Sequence, residues 1–304
     1  MPTTASQIKA LRARTGAGML DCKQALDEAG GDMEAAAQAL RTKGIAAAEG
    51  KAGRIAAEGV IAAAIGDGGG GAGVLVEVNC ETDFVAKDAS FRAFAEAAAG
   101  AILAAPTAPA DVESAGELPL GDSTVDTARR ELIGKIGENI ALRRFARLDA
   151  GGGALSTYLH GVRIGVLVRL GGGGGGADSA ALESLGRDLA MHIAATRPLC
   201  VGEDDVPADT LAREEAIFTA QAAESGKPPE IAQKMVAGRM KKFLKENTLL
   251  GQAFVKNPEQ TVAQLVKAAG ASVEAMVRFE VGEGLEKRSE DFVAEVRAQA
   301  AGRT

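Results

Sequence analysis

Near residue 55 the chain changes its period, and that switch limits the fold more than any other feature. Before it, apolar residues recur at helical spacing in short stretches cut by glycine. After it come β-branched runs that alternate with longer helical stretches. One bundle or one sheet would need a single period throughout, so the pattern predicts a small helical module joined to an α+β body. In the first part, Thr4 or Ser6 can cap a helix that carries Ile8 and Leu11 and ends at Gly16-Ala17-Gly18. A second covers about 20–29 and stops at Gly30-Gly31; Asp32 caps a third through Leu40, with Gly44 as its expected stop. Three helices this short bury little surface alone, so a binding role with a partner is expected of them.

Residues 60–65 and 74–78 read as a strand pair around Asp67 and a glycine run. A helix over 88–103, a break at Pro106 and Pro109, a helix over 123–135 and a strand over 140–148 follow. The order then recurs. Paired strands at 155–159 and 164–170 turn at His160-Gly161, a flexible link spans 171–176, and Leu182, Leu185, Leu189 and Ile193 mark a helix. This predicts two α+β subdomains alike in architecture, without a clean sequence repeat. From 209 to 244 the chain is helical, broken by Gly226-Lys227-Pro228-Pro229. That predicts an antiparallel coiled-coil-like hairpin with Ile231, Met235 and Leu244 along its seam. A strand at 276–281 and a helix from Ser289 end the chain.

Asp and Glu number 41 against 34 Lys and Arg, for a formal charge of -7. Such a chain repels a phosphate backbone, so direct nucleic-acid binding is not expected. The basic run Lys234, Arg239, Lys241, Lys242 and Lys245 is interrupted by Met240, Phe243 and Leu244 at helical spacing, as on a solvated helix face. The 3 cysteines, Cys22, Cys80 and Cys200, lie far apart and show no zinc spacing, which fits free thiols in a reducing compartment. No apolar run has membrane length, and acidic residues arrive too early for a transit peptide, so a cytoplasmic protein is expected.

Neither glycine run meets the demands of a phosphate loop, since no Lys-Ser or Lys-Thr follows, and no cofactor is expected. Cys80 or Cys200 with His160 or His192 would be a nucleophile pair in principle, but no elbow or oxyanion pattern accompanies them. His192, between Met191 and Ile193, reads as a packed histidine, and nothing supports an enzyme.

The most unusual stretch runs from Val78 to Val85, where a buried-looking strand passes into a helix. Asp83 and Phe84 put a charge and an apolar wedge on one short surface turn. The competing reading has Thr82 or Asp83 capping a helix while Phe84 packs on its own core. Here a resemblance enters. The motif TDFV at 82–85 resembles the elongation factor Ts family. So do LRARTGAGM at 11–19 with Asp21-Cys22-Lys23, KIGENI at 135–140, HGVRIGVLV at 160–168, MHIAA at 191–195, KMVAGRM at 234–240 and RFEVGEG at 278–284.

The resemblance implies an α+β fold with a three-helix module like ubiquitin-associated domains at 1–54 and a core amino-terminal subdomain at 55–153. It further implies a core carboxy-terminal subdomain from 154–200 and 250–284, a coiled-coil hairpin at 201–249 and a short helical module at 285–304. It also implies a partner, the GTPase elongation factor Tu in its GDP-bound and nucleotide-free states. By that analogy Thr82, Asp83, Phe84 and Val85 form the tip that dislocates Mg2+ from the GTPase. Lys23 serves the amino-terminal contact, Ile136 and Gly137 the core contact, and His160, Met235 and Val236 a further one. Core packing is an equal alternative for Ile136, Met235 and Val236. A homodimer or a complex with two copies of each protein stays open. A rival reading is a partner-binding adaptor that uses the first fifty or so residues alone.

Overall fold

The computed structural model describes residues 3–66, 71–172 and 179–285. The expected helix from Ser289, and most of both glycine runs, lie outside the described residues. The described chain is a mixed helix-and-sheet protein that opens on a three-helix module. Its described residues divide into two compact units: 3–62, 76–145 and 280–285 in the first, 63–66, 71–75, 146–172 and 179–279 in the second.

Helix α1 (Ala5–Thr15) starts at Thr4, whose hydroxyl accepts from the Gln7 N–H while the Gln7 side chain reaches back, a full capping box. Gly16 ends it in the left-handed region at φ 70°. Helix α2 (Met19–Glu28) follows, and Asp32 caps α3 (Met33–Glu49) through the Glu34 and Ala35 N–H groups. Leu11, Cys22, Ala25, Leu26 and Ala36 form the module's small core. Helix α3 does not stop at Gly44 as expected. The helix runs on and crosses helix α7 (Val125–Ile136) at Gly134, whose missing side chain allows the approach, since a Cβ there would lie 2.6 Å from the Gly44 Cα.

Strands β1 (Glu58–Ile65) and β2 (Ala72–Cys80) lead to a one-turn helix α4 (Asp83–Ala86) and then α5 (Ala89–Ala104). A short helix α6 (Val112–Gly116) and a two-residue hairpin, β3 (Pro119–Leu120) with β4 (Ser123–Thr124), precede α7. Neither piece was legible as a periodic pattern, because both are shorter than one period can declare itself. Strand β5 (Ile140–Asp149) completes a sheet of order β1-β2-β5. All nine positions of β2 are buried, Glu77 among them. Its carboxylate is held by Arg143 Nη1 at 2.9 Å, Arg144 Nε at 2.6 Å and the Gly282 N–H at 2.8 Å.

In the second unit β6 (Ala154–His160) pairs antiparallel with β7 (Ile164–Gly171), and the register runs from Ala154 opposite Leu170 to His160 opposite Ile164. Helix α8 (Ser179–Thr196) lies on these strands; Gly186 comes so near Ser156 that an added Cβ would sit 2.1 Å from its Oγ. The hairpin helices are α9 (Ala208–Glu224) and α10 (Pro229–Asn247), with Pro at the first turn of the latter. The expected seam needs one correction: Ile231 is exposed, while Met235 and Leu244 are half-buried. Beyond the hairpin come β8 (Ala253–Phe254) and β9 (Asn257–Thr261), helix α11 (Val262–Ala268) and β10 (Ser272–Glu280), which joins the sheet β10-β7-β6. Val166, Val168, Leu170, Leu189, Ile193, Leu249, Phe254 and Val262 are buried together there.

Candidate functional site

The loop after β2 is built from its cap outward. Thr82 has extended backbone and its hydroxyl accepts from the Val85 N–H at 3.4 Å, starting α4. Asp88 caps the next helix through the N–H groups of Ser90 at 2.8 Å and Phe91 at 3.1 Å. Two caps this close leave one turn between them. Within it Val85 and Ala86 face inward and are buried, whereas Asp83 and Phe84 face out. Phe84 is 80% exposed. Capping by Thr82 is therefore real, but Phe84 does not pack on its own core.

Exposure does not leave the tip loose. Asp83 Oδ2 accepts from Lys87 Nζ at 2.6 Å, one helical turn on, and the same ammonium stands 5.8 Å from the Phe84 ring centroid. The Lys87 hydrogen bond holds the Asp83 carboxyl below the usual carboxylate range, so the tip carries a negative charge at neutral pH. Upstream, Glu138 grips Thr82 twice: its Oε2 accepts from the Thr82 N–H at 3.0 Å and its Oε1 from the Thr82 hydroxyl at 2.7 Å. Glu81 Oε1 in turn accepts from the Asn139 N–H at 2.6 Å and lies 3.5 Å from Arg54 Nη1. The Asn139 side chain donates to the Arg54 carbonyl at 2.8 Å.

Cys80, at the base of the loop, is buried and donates to the Thr82 carbonyl at 3.2 Å. Burial, with the Glu138 charge adding to it, pushes its thiol up to about 12. A thiol so far from ionising is a packing group and not a nucleophile. His192, the other half of one conceivable pair, is buried against Phe254, with Nε2 facing Gln252 Oε1 at 2.9 Å and Nδ1 accepting from the Val255 N–H at 3.3 Å.

The remaining residues singled out from sequence fall in separate places. Ile136 is the last residue of α7, half-buried, and Gly137 caps that helix in the left-handed region at φ 89°. They come immediately before Glu138 and Asn139 in the chain, so they share the neighbourhood of the tip's anchor. Lys23 is exposed on α2, in the same unit. His160, exposed at the end of β6 with Nδ1 3.1 Å from the Tyr158 hydroxyl, belongs to the second unit. So do Met235 and Val236, half-buried on α10. Sequence reading missed Lys87, Glu138, Asn139, Glu81 and Arg54 as the tip's braces. Only Lys87 left a signal, its i+4 spacing from Asp83.

The proteins this chain is similar to are translation elongation factors. Residues 81–283 match the family described as Elongation factor TS. Over 302 residues the chain is 53% identical to the elongation factor Ts of Alkalilimnicola ehrlichii, covering 99% of this chain and 100% of that protein. It is also 53% identical over 303 residues to that of Thioalkalivibrio sulfidiphilus, covering 99% and 100%. With that of Methylococcus capsulatus it shares 53% over 299 residues, covering 98% and 99%. The chain belongs to the elongation factor Ts family.

Proposed function

We propose that this elongation factor binds elongation factor Tu carrying GDP and drives release of the nucleotide without catalysing a chemical step. The Phe84 tip wedges into the GTPase, the groups that organise its Mg2+ shift, GDP leaves, and GTP rebinds. The reading rests on one observation above others: a phenylalanine 80% exposed on a loop whose neighbours are tied down on both sides. An apolar ring held out in water is a cost to the free protein and an anchor once a partner covers it. Thermodynamics requires that nucleotide-free GTPase be bound more tightly than the GDP form, and linkage makes GDP and this protein weaken each other equally. Each tenfold takes about 1.4 kcal/mol, so contacts spread over Lys23, Ile136, Gly137, His160, Met235 and Val236 would add to the tip.

The five-part division expected from sequence is the scheme we propose for these contacts, with the protein acting in the cytoplasm. No helix of the described residues is long and apolar enough to cross a membrane. The adaptor reading has one observation behind it: Met19 and Leu20 of α2 are 56% and 84% exposed, an apolar face on the three-helix module. Release of fluorescent GDP from elongation factor Tu separates the two. The full chain should accelerate release, and a chain lacking residues 1–54 should still do so at higher concentration. No acceleration at saturating protein refutes exchange, and binding lost entirely with the module favours the adaptor.

A further inference from the structure

We infer that Glu138 is the positioning residue of the tip, setting the angle at which the loop presents Asp83 and Phe84; this rests on the reading of Phe84 as the exchange wedge. The carboxylate sits just past the end of α7 and takes both polar hydrogens of Thr82, at 3.0 Å from the backbone N–H and 2.7 Å from the hydroxyl. Thr82 is the last residue before the tip and the cap of its only turn. Fixing its N–H and its hydroxyl together fixes both the direction of the incoming backbone and the oxygen that receives the Val85 N–H. The neighbouring pair repeats the arrangement in reverse, Glu81 accepting from the Asn139 N–H at 2.6 Å. Residues 81 and 82 are thus joined to 138 and 139 by three hydrogen bonds to carboxylates, the strong kind when partly shielded from water.

The rest of the loop does not need Glu138 to fold. Val85 and Ala86 are buried, the Ala86 carbonyl accepts from Arg92 Nε at 3.0 Å, and Asp88 starts α5 on its own. Loss of the Glu138 carboxylate therefore frees the direction of residues 82–84 while leaving the fold beneath them in place.

The test measures GDP release from elongation factor Tu with the wild type, E138A, E138Q, F84A and the double variant E138A/F84A. E138A should lower the saturating rate about tenfold with urea midpoints little changed, and E138Q, which keeps one acceptor oxygen, should fall between. Hydrogen exchange at the Thr82–Val85 amides should quicken in both, with no partner present. Because Glu138 acts only through the tip, the double variant should be no slower than F84A. A wild-type saturating rate in E138A, unchanged exchange, or losses that simply add in the double variant would each overturn the inference. Should E138A not fold, E138Q and E138Q/F84A decide by the same three readings. If F84A itself releases GDP as fast as the wild type, the exchange reading fails and takes the positioning role with it. If F84A is slow while E138A and E138Q are fast, only the positioning role fails.

Discussion

The crossing of α3 and α7 makes a prediction whose sign differs between two glycines that touch each other. A Cβ on Gly134 would lie 2.6 Å from the Gly44 Cα and 3.3 Å from its carbonyl carbon and oxygen, all backbone atoms that no rotamer can move. A Cβ on Gly44 would lie 3.6 Å from the Gly134 Cα, an ordinary contact. Since carbon pairs settle at about 3.5–4.0 Å, Gly134→Ala must part the helices by roughly an ångström, whereas Gly44→Ala need part nothing. Overpacking of that kind costs about 1–3 kcal/mol. Both substitutions remove a helical glycine, each with a gain of about 1 kcal/mol or less, so the propensity term largely cancels between them. Gly44→Ala should be neutral to stabilising, and Gly134→Ala should lie about 1–3 kcal/mol below it. With 0 Trp and 1 Tyr, urea unfolding followed by far-UV circular dichroism is the suitable assay. Equal midpoints, or Gly134→Ala the more stable, would refute the close crossing.

Glu77→Ala should cost about 3–5 kcal/mol in urea unfolding, since it strips a fully buried carboxylate from Arg143, Arg144 and the Gly282 N–H. Phe84→Ala should leave stability within about 0.5 kcal/mol, as for any exposed side chain, while slowing GDP release about 30-fold if the ring is an interface anchor. Burial lowers the His192 pKa below its ordinary 6.5, the Gln252 hydrogen bond opposing in part. Between the folded value and 6.5 the unfolded chain holds more protons, so stability is complete above about 6.5 and is lost as pH falls through the folded pKa. Thermal unfolding from about pH 7 to pH 5 should show that loss, and His192→Gln should flatten it; a slope unchanged in the variant would assign the titration elsewhere.

The long elements were legible because they run through several periods: α5, α8 and the α9–α10 hairpin announce themselves through spacing and through Asp88 and Pro228-Pro229. Gly44 misled because glycine reads locally as a stop, whereas here α3 runs on through it and crosses α7 at Gly134. Glu77 in the middle of a valine-rich strand could not be read as buried and paired, since its arginines lie 66 and 67 residues away. The tip shows the same division. TDFV stood out in the sequence, yet what holds it, Glu138 and Asn139, is 56 to 58 residues distant.

Helix α7 joins these observations physically. Near its end, Gly134 receives α3 of the three-helix module, and four and five residues on, Glu138 and Asn139 receive the tip loop and the Arg54 carbonyl that follows the module. Gly134 lies in the last turn of α7, and Glu138 and Asn139 lie just past its Gly137 cap, so the two seats are four and five residues apart on one continuous backbone. A shift of the last turn of α7 would reach Glu138 and Asn139 through Lys135, Ile136 and Gly137 alone. Gly134→Ala is then expected to reach the tip as well: it should quicken hydrogen exchange at Thr82, whereas Gly44→Ala should not. Protection at Thr82 equal in the two variants would mean that the module and the tip are seated independently.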